Sequence, residues 1–173
     1  MAEQLAHDPE ATDRSLTITW EDPMGIAAAA AGRSGLEFLQ AMVSGEVPKP
    51  PISELLGATA VEVEEGRVVF RIVPHESHYN PIGAVHGGIH ATVLDAAMGC
   101  AVHSTLPAGT GYTTLEIKVN YVRAFRVDTG PAIATGTVIH RGGRIATAEG
   151  RLERESDGQL IAHATTTCIV FAP

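Results

Sequence analysis

The sequence predicts an α+β domain, one long antiparallel sheet wrapped around a single enclosed helix, with an N-terminal helical extension ahead of it. Three observations predict this. Residues 89–106 are apolar on every side of a helix. Beyond Gly111 the hydrophobic period drops to two. Turn signals at Glu65-Gly66, Gly142-Gly143 and Asp157-Gly158 punctuate the strand-like pieces on either side.

Taken in order, residues up to about Pro23 are polar and acidic and predict poor order. The alanine run 27–31, followed by Gly32 and Gly35, is a weak helix. A firmer short helix is predicted over 36–43, where Leu36, Leu39, Met42 and Val43 make one apolar stripe. Pro48, Pro50 and Pro51 mark a hinge that divides an extension, 1–50, from the main domain, 51–173. The extension is too small to fold alone, so it packs on the domain or on a partner subunit.

Two strands are predicted at 57–64 and 67–73, joined as a tight hairpin, followed by a loop to Val85 and then the enclosed helix, which Pro107 and Gly109 stop. After Gly111, Leu115, Ile117, Val119 and Tyr121 alternate with Glu116, Lys118, Asn120 and Val122, a strand with one face on a core. Further strands are predicted at 130–140, 144–154 and 160–171. The 89–106 run is long enough to raise the question of a membrane span. His90, Asp95, Gly99 and His103 interrupt it, and its flanks are turn-like rather than basic, so it reads as a buried helix.

With 173 residues, 45% hydrophobic and 18% charged, the chain fits one globular domain with a real core. Lone Cys100 and Cys168 give no disulfide framework, and the first twenty residues lack a basic and apolar leader. A cytoplasmic location is the expectation. A net charge of −8 argues against nucleic acid and anionic membrane as partners. Yet residues 118–154 hold seven of the twelve bases against three acids, a local surplus where a small polyanionic ligand can sit.

The chemistry concentrates in NPIGAVHGGIHATVLD, residues 80–95. Asp95 is the only acid between Glu76 and Glu116, and no Lys or Arg stands between Arg71 and Lys118. A carboxylate buried without a cation has its pKa raised and can serve as general base or nucleophile. His86-Gly87-Gly88 at the start of a helix offers backbone N–H groups that no intrahelical carbonyl satisfies, suited to an oxygen that becomes negative during acyl transfer. Eight residues separate Gly87 from Asp95, about 12 Å along a helix. A reacting carbon that touches both needs them within about 6 Å. If both act on it, they come from different subunits.

His75, His78, His86, His90 and His103 invite a metal reading, but no second carboxylate or cysteine completes a ligand set, and HxxxH here lacks the internal Glu of zinc peptidases. The expectation is no metal. No GxSxG occurs, and Cys100 sits in the apolar run as a packed thiol.

Asn80, His86-Gly87-Gly88, Asp95, then YTTLEIKVNYVR over 112–123, HRGGRIATAEGRL over 140–152 and GQLIAHATTT over 158–167, resemble in order and spacing the hotdog-fold acyl-CoA thioesterases, in particular the phenylacetic-acid-degradation group. The resemblance covers about residues 51–170. It implies a hotdog fold, dimers that pair their sheets, often tetramers built from two dimers, and thioester hydrolysis at the dimer interface. It further implies that the Gly87 N–H polarises the thioester carbonyl, with His86 holding the thioester or Asn80. Asp95 of the partner subunit acts as base or nucleophile, Asn80 orients water or substrate, and Thr114, or Thr113 when counted from Asp95, positions the water.

Coenzyme A, part of the substrate rather than a cofactor, is implied to bind along Tyr121, Val122, Arg123 and Arg126 and along His140, Arg141, Gly142 and Arg144, with Gly88 beside it. Ala124 departs from the family, where proline often follows the arginine. The resulting reading is an acyl-CoA thioesterase acting on aryl- or medium-chain acyl-CoA with no cofactor. Its rivals are a hydratase or dehydratase on the same fold, in which a His follows the Asp, and an acyl-CoA-binding module without turnover.

Overall fold

The computed structural model describes residues 14–171. The poor order expected up to Pro23 falls partly outside these residues; residues 14–22 run without helix or strand. Helix α1 (Pro23–Ala28) starts under the Asp22 carboxylate, which accepts from the Met24 N–H. Helix α2 (Gly35–Ser44) opens with a capping box in which Ser34 and Glu37 satisfy each other's backbone N–H groups, and closes on Gly45 at φ 80°.

The predicted stripe on α2 is only partly the buried one. Phe38, Leu39 and Ala41 are buried while Val43 is exposed, because α2 is packed on two sides. Leu39 joins the main core, and Phe38 and Ala41 close a small cluster with Ile26 and Val47. The proline-rich segment read as a hinge also holds a helix, α3 (Pro51–Leu56), with Pro51 in its first turn and Gly57 as left-handed cap.

Six strands follow: β1 (Ala58–Glu64), β2 (Arg67–Ile72), β3 (Gly111–Tyr121), β4 (Ala132–Arg141), β5 (Ile145–Arg154) and β6 (Leu160–Phe171). They form one antiparallel sheet in the order β1-β2-β4-β5-β6-β3, with β1 and β3 at its edges. Helix α4 (Gly87–Ser104) lies across one face. Val93, Leu94, Ala97, Met98, Ala101 and Val102 are almost wholly buried against Val68, Ala134, Leu152 and Ile161. Burying each larger side chain contributes about 1.5–3 kcal/mol.

The helix comes close because the strands beneath it are shaved. A Cβ on Gly136 would lie 2.3 Å from the Ala97 carbonyl, and Ala132, Ala134, Ala146 and Ala148 continue the small surface. The β1–β2 hairpin is tied to the end of α4 by the Gly66 N–H, which donates to Ser104 Oγ at 2.8 Å.

Two expectations are corrected here. The helix is not wholly enclosed: Thr92 and Asp95 lie on a partly exposed face, because α4 carries a side that the sheet does not cover. Strand β3 does not alternate evenly either. A bulge between Thr114 and Glu116 resets the pleat, so Tyr112 and Thr114 face inward on one side of it and Ile117 and Val119 on the other, with Leu115 57% exposed. No helix among the described residues is long and apolar enough to cross a membrane.

Candidate active site

The loop before α4 is held by its own polar groups. Asn80 Oδ1 accepts from the Ile82 and Ala84 N–H groups at 3.1 and 3.2 Å, and the Asn80 N–H donates to the Ala84 carbonyl at 2.8 Å. The side-chain oxygen is thus committed to the loop, which leaves the amide NH2 as the group that can reach a ligand. The Val85 N–H donates to the Phe125 carbonyl, fastening the loop to the segment after β3, and the His86 N–H donates to the His78 carbonyl, closing the loop on its own start.

His86 is the N-cap of α4. Its Nδ1 accepts from the Gly88 N–H at 2.9 Å, so the neutral ring carries its proton on Nε2 and faces solvent. It has no hydrogen bond to Asn80. With Gly88 capped by His86 and Ile89 donating to the His86 carbonyl, the Gly87 N–H has no acceptor among the described residues. It stands at the positive end of an eighteen-residue helix.

Tyr121 closes over this point. Its hydroxyl donates to the Gly87 carbonyl at 3.1 Å, and a Cβ on Gly87 would lie 3.1–3.2 Å from its ring. His90, read from the sequence only as one of several spare histidines, lies edge-on to Tyr121 and Phe125, each 5.6 Å away, and its Nδ1–H donates to the His86 carbonyl. Burial pushes its pKa down, which keeps it neutral. An aromatic residue four positions from the end of β3 was the available signal for this support. A hollow of about 360 Å³ opens between Asn80, Gly87, His90 and Tyr121.

Asp95 is half-buried on the open face of α4, and Thr114 Oγ1 donates to its Oδ1 at 2.8 Å. The β3 bulge turns Thr114 rather than Thr113 inward. No ion pair among the described residues involves Asp95. Burial pushes the nearby Cys100 thiol up to about 12 and raises Tyr112 well above its ordinary value, and the Asp95 charge adds to both.

The basic surplus is not one seat within a chain. Arg123 donates to the Leu160 carbonyl at 2.8 Å and Arg126 begins the turn after β3; both lie at the Tyr121 end of the sheet. Val122 is exposed beside them, its N–H tied to the Ile161 carbonyl. His140, Arg141, Gly142 and Arg144 form the β4–β5 hairpin at the opposite end, where Arg141 donates to the Gly142 carbonyl. From Ile161 to Val170 along β6 is roughly 30 Å at 3.3 Å per residue. Arg151 and Arg154 pair with Glu153 and Asp157 and belong to neither cluster. No group of three metal-ligating side chains is gathered among the described residues.

Comparison with known proteins agrees with this architecture. A family model described as the thioesterase superfamily matches residues 82–161. A provisionally named esterase of Halobacterium salinarum is 33% identical over 114 residues, covering 63% of this chain and 74% of that protein. Acyl-coenzyme A thioesterase 13 of Homo sapiens is 28% identical over 109 residues, covering 63% of this chain and 76% of that protein. Among solved structures, a phenylacetic acid degradation-related protein from Ralstonia eutropha, provisionally assigned as a thioesterase, superposes with a TM-score of 0.68 at 28% identity, over 76% of this chain and 98% of that one. The match begins in the Asn80 loop, runs through α4 and all of β3, β4 and β5, and ends in β6; the chain belongs to the thioesterase superfamily, a family of thioester hydrolases, and folds as a hotdog domain.

Proposed function

We propose that this chain hydrolyses acyl-CoA thioesters to the free acid and coenzyme A at a site shared by two subunits. The observation that carries this is the placement of Gly87 and Asp95 toward opposite ends of one unpaired edge strand: Gly87 lies under Tyr121, and Asp95 is bonded to Thr114. Within one chain they stand about 12 Å apart on the same helix, too far to share a reacting carbon. An antiparallel β3–β3 pairing about an axis between Ile117 and Lys118 sets Tyr121 opposite the partner's Thr114. That operation brings each Gly87 toward the partner's Asp95, and each Arg123 toward the partner's 141–144 hairpin. A homodimer is therefore the minimal active unit, and pairing of two dimers gives the tetramer.

In this site the Gly87 N–H and the α4 dipole hold the thioester oxygen as it becomes negative. Asp95 of the other subunit takes a proton from water, whose oxygen attacks the carbonyl carbon, or attacks that carbon itself and is freed by water. The C–S bond breaks and coenzyme A leaves as the thiol after taking up a proton. Thr114 occupies one Asp95 oxygen and leaves the other for the reaction. The Asn80 amide NH2 orients water or substrate, and the reaction needs no cofactor. Two free cysteines and a coenzyme A substrate fit a cytoplasmic setting.

The test is thiol release from phenylacetyl-, benzoyl- and hexanoyl-CoA by wild type and Asp95→Asn. Release that vanishes in the nearly isosteric variant supports the reading. Silence of the wild type across the panel, with coenzyme A still bound, turns the chain into a binding module.

A further inference from the structure

Next to the Asp95 face of α4 lies a cavity that can hold an acyl group. It measures about 290 Å³ and lies between the N-terminal extension and the hotdog core. Helix α4 supplies Ala96 and Cys100, one and five positions beyond Asp95, and β3 supplies Tyr112, two positions before Thr114 and on the same inward face. The Tyr112 ring lies over Gly99, where a Cβ would meet its hydroxyl at 2.8 Å, so it borders both Asp95's neighbourhood and the cavity. Ala60 and Phe70 of the first hairpin form the floor. The outer wall is not part of the sheet-and-helix core: it is Phe38 and Met42 of α2 and Ile52 of α3.

The lining carries no carboxylate and no guanidinium in contact with the space. Its one formally charged side chain, Lys49, is 47% exposed and stands 4.0 Å from Glu54. His103 is kept neutral by burial. An anionic acyl group would therefore meet only Lys49, at the solvent edge beside Glu54, as counter-charge, and would leave water at a cost that an apolar one does not meet. Length follows from the helix. From Ala96 to His103, the far lining residue of α4, is roughly 10 Å at 1.5 Å per residue. An extended chain advances roughly 1.2 Å per bond, so about eight bonds fit. At roughly 30 Å³ per water-sized group, the volume holds about ten non-hydrogen atoms.

Resting on the thioesterase reading, we infer that this cavity receives the acyl group, that its substrate is an uncharged medium-chain acyl thioester of about eight carbons, and that α2 of the N-terminal extension and α3 directly after it set that length. Phe38, Met42 and Ile52 are specificity-determining residues contributed by a segment outside the 82–161 family match.

The experiment measures kcat/KM for acetyl-, butyryl-, hexanoyl-, octanoyl-, dodecanoyl- and succinyl-CoA with wild type, Ala60→Leu and Met42→Ala. Wild type is expected to peak at hexanoyl to octanoyl and to reject succinyl. Ala60→Leu adds bulk to the floor and should lower the octanoyl-to-butyryl ratio about tenfold or more. Met42→Ala opens the wall and should move the peak about two carbons longer. Because Met42 is only partly buried, that variant carries the test if Ala60→Leu does not fold. A peak at acetyl or succinyl, or a length profile unmoved in the folded variants, overturns the pocket assignment while leaving the thioesterase reading intact. No hydrolysis of any substrate by wild type overturns both.

Discussion

Thr114 on β3 and Asp95 on α4 meet through a single 2.8 Å hydrogen bond, hydroxyl to carboxylate, that joins an edge strand to the half-open face of the central helix. The bond fixes one carboxylate oxygen and leaves the other directed by it. Thr114→Val keeps the shape of the side chain and removes the donor. Its kcat should fall about 10- to 100-fold with KM changed less than about threefold, since positioning of a base is lost rather than substrate contact. Steady-state kinetics check this; Thr114→Ser should restore most of kcat, and a Thr114→Val enzyme with full kcat would remove Thr114 from the mechanism.

That meeting shows where the sequence was readable and where it was not. Asp95 is legible as an isolated acid in an apolar run, and Gly87 as a helix-start glycine. Whether Thr113 or Thr114 turns toward Asp95 depends on the bulge at Leu115, and Leu115 is itself apolar, so the alternation into Ile117 and Val119 looks unbroken. The strands are readable because glycine turns bound each period-two run. Helix α3 is hidden because Pro51 signals a hinge and a helix start equally well. The two arginine clusters look like one basic surplus along the chain, and only strand register separates them to opposite ends of the sheet.

Gly87 sits under Tyr121 with no room to spare. Gly87→Ala pushes a Cβ against the ring at 3.1–3.2 Å and shifts the N–H proposed to hold the oxyanion. A kcat loss of about 10²-fold is expected, in the range of a lost oxyanion donor. Tyr121→Phe removes only the bond to the Gly87 carbonyl and should cost less than about tenfold. Equal losses in the two variants would mean that Tyr121, not the Gly87 N–H, governs turnover.

Gly35 marks the join of the extension to the core. Its N–H donates to the Leu106 carbonyl at 2.9 Å, and a Cβ there would fall 1.8 Å from the His103 carbonyl oxygen. Gly35→Ala should cost about 2 kcal/mol, lower Tm by roughly 4–8 °C and open the extension to proteases. Gly143→Ala, with open space around it and no left-handed φ, is the control and should hold Tm within about 1 °C. Unchanged Tm and protease resistance in Gly35→Ala would mean that α2 is not anchored there.

His78, His90 and His103 all have pKa values pushed below the ordinary 6.5, chiefly by burial. The unfolded chain then binds more protons than the folded one, so stability rises with pH. It is fully present above about 6.5 and is lost as pH falls from there through the lowered values. Thermal melts should show a flat Tm above pH 7 and a decline between about 6.5 and 5, reduced in slope by His103→Gln. A Tm that holds steady to pH 5 would show that these rings accept protons without leaving their sites.

The shared site can be tested by mixing subunits. Asp95→Asn and Gly87→Ala subunits are each expected to be nearly inactive as homodimers. In a mixed dimer, one of the two sites takes Asp95 from the Gly87→Ala subunit and Gly87 from the Asp95→Asn subunit, and so has both groups intact. Random reassembly at equal amounts makes half the dimers mixed, so about one quarter of wild-type activity should return. Differently tagged subunits and tandem purification verify the mixed dimer. No return of activity in it would confine catalysis to residues of one chain, and would require α4 or the Asn80 loop to move by several ångströms for Gly87 and Asp95 to reach one carbon.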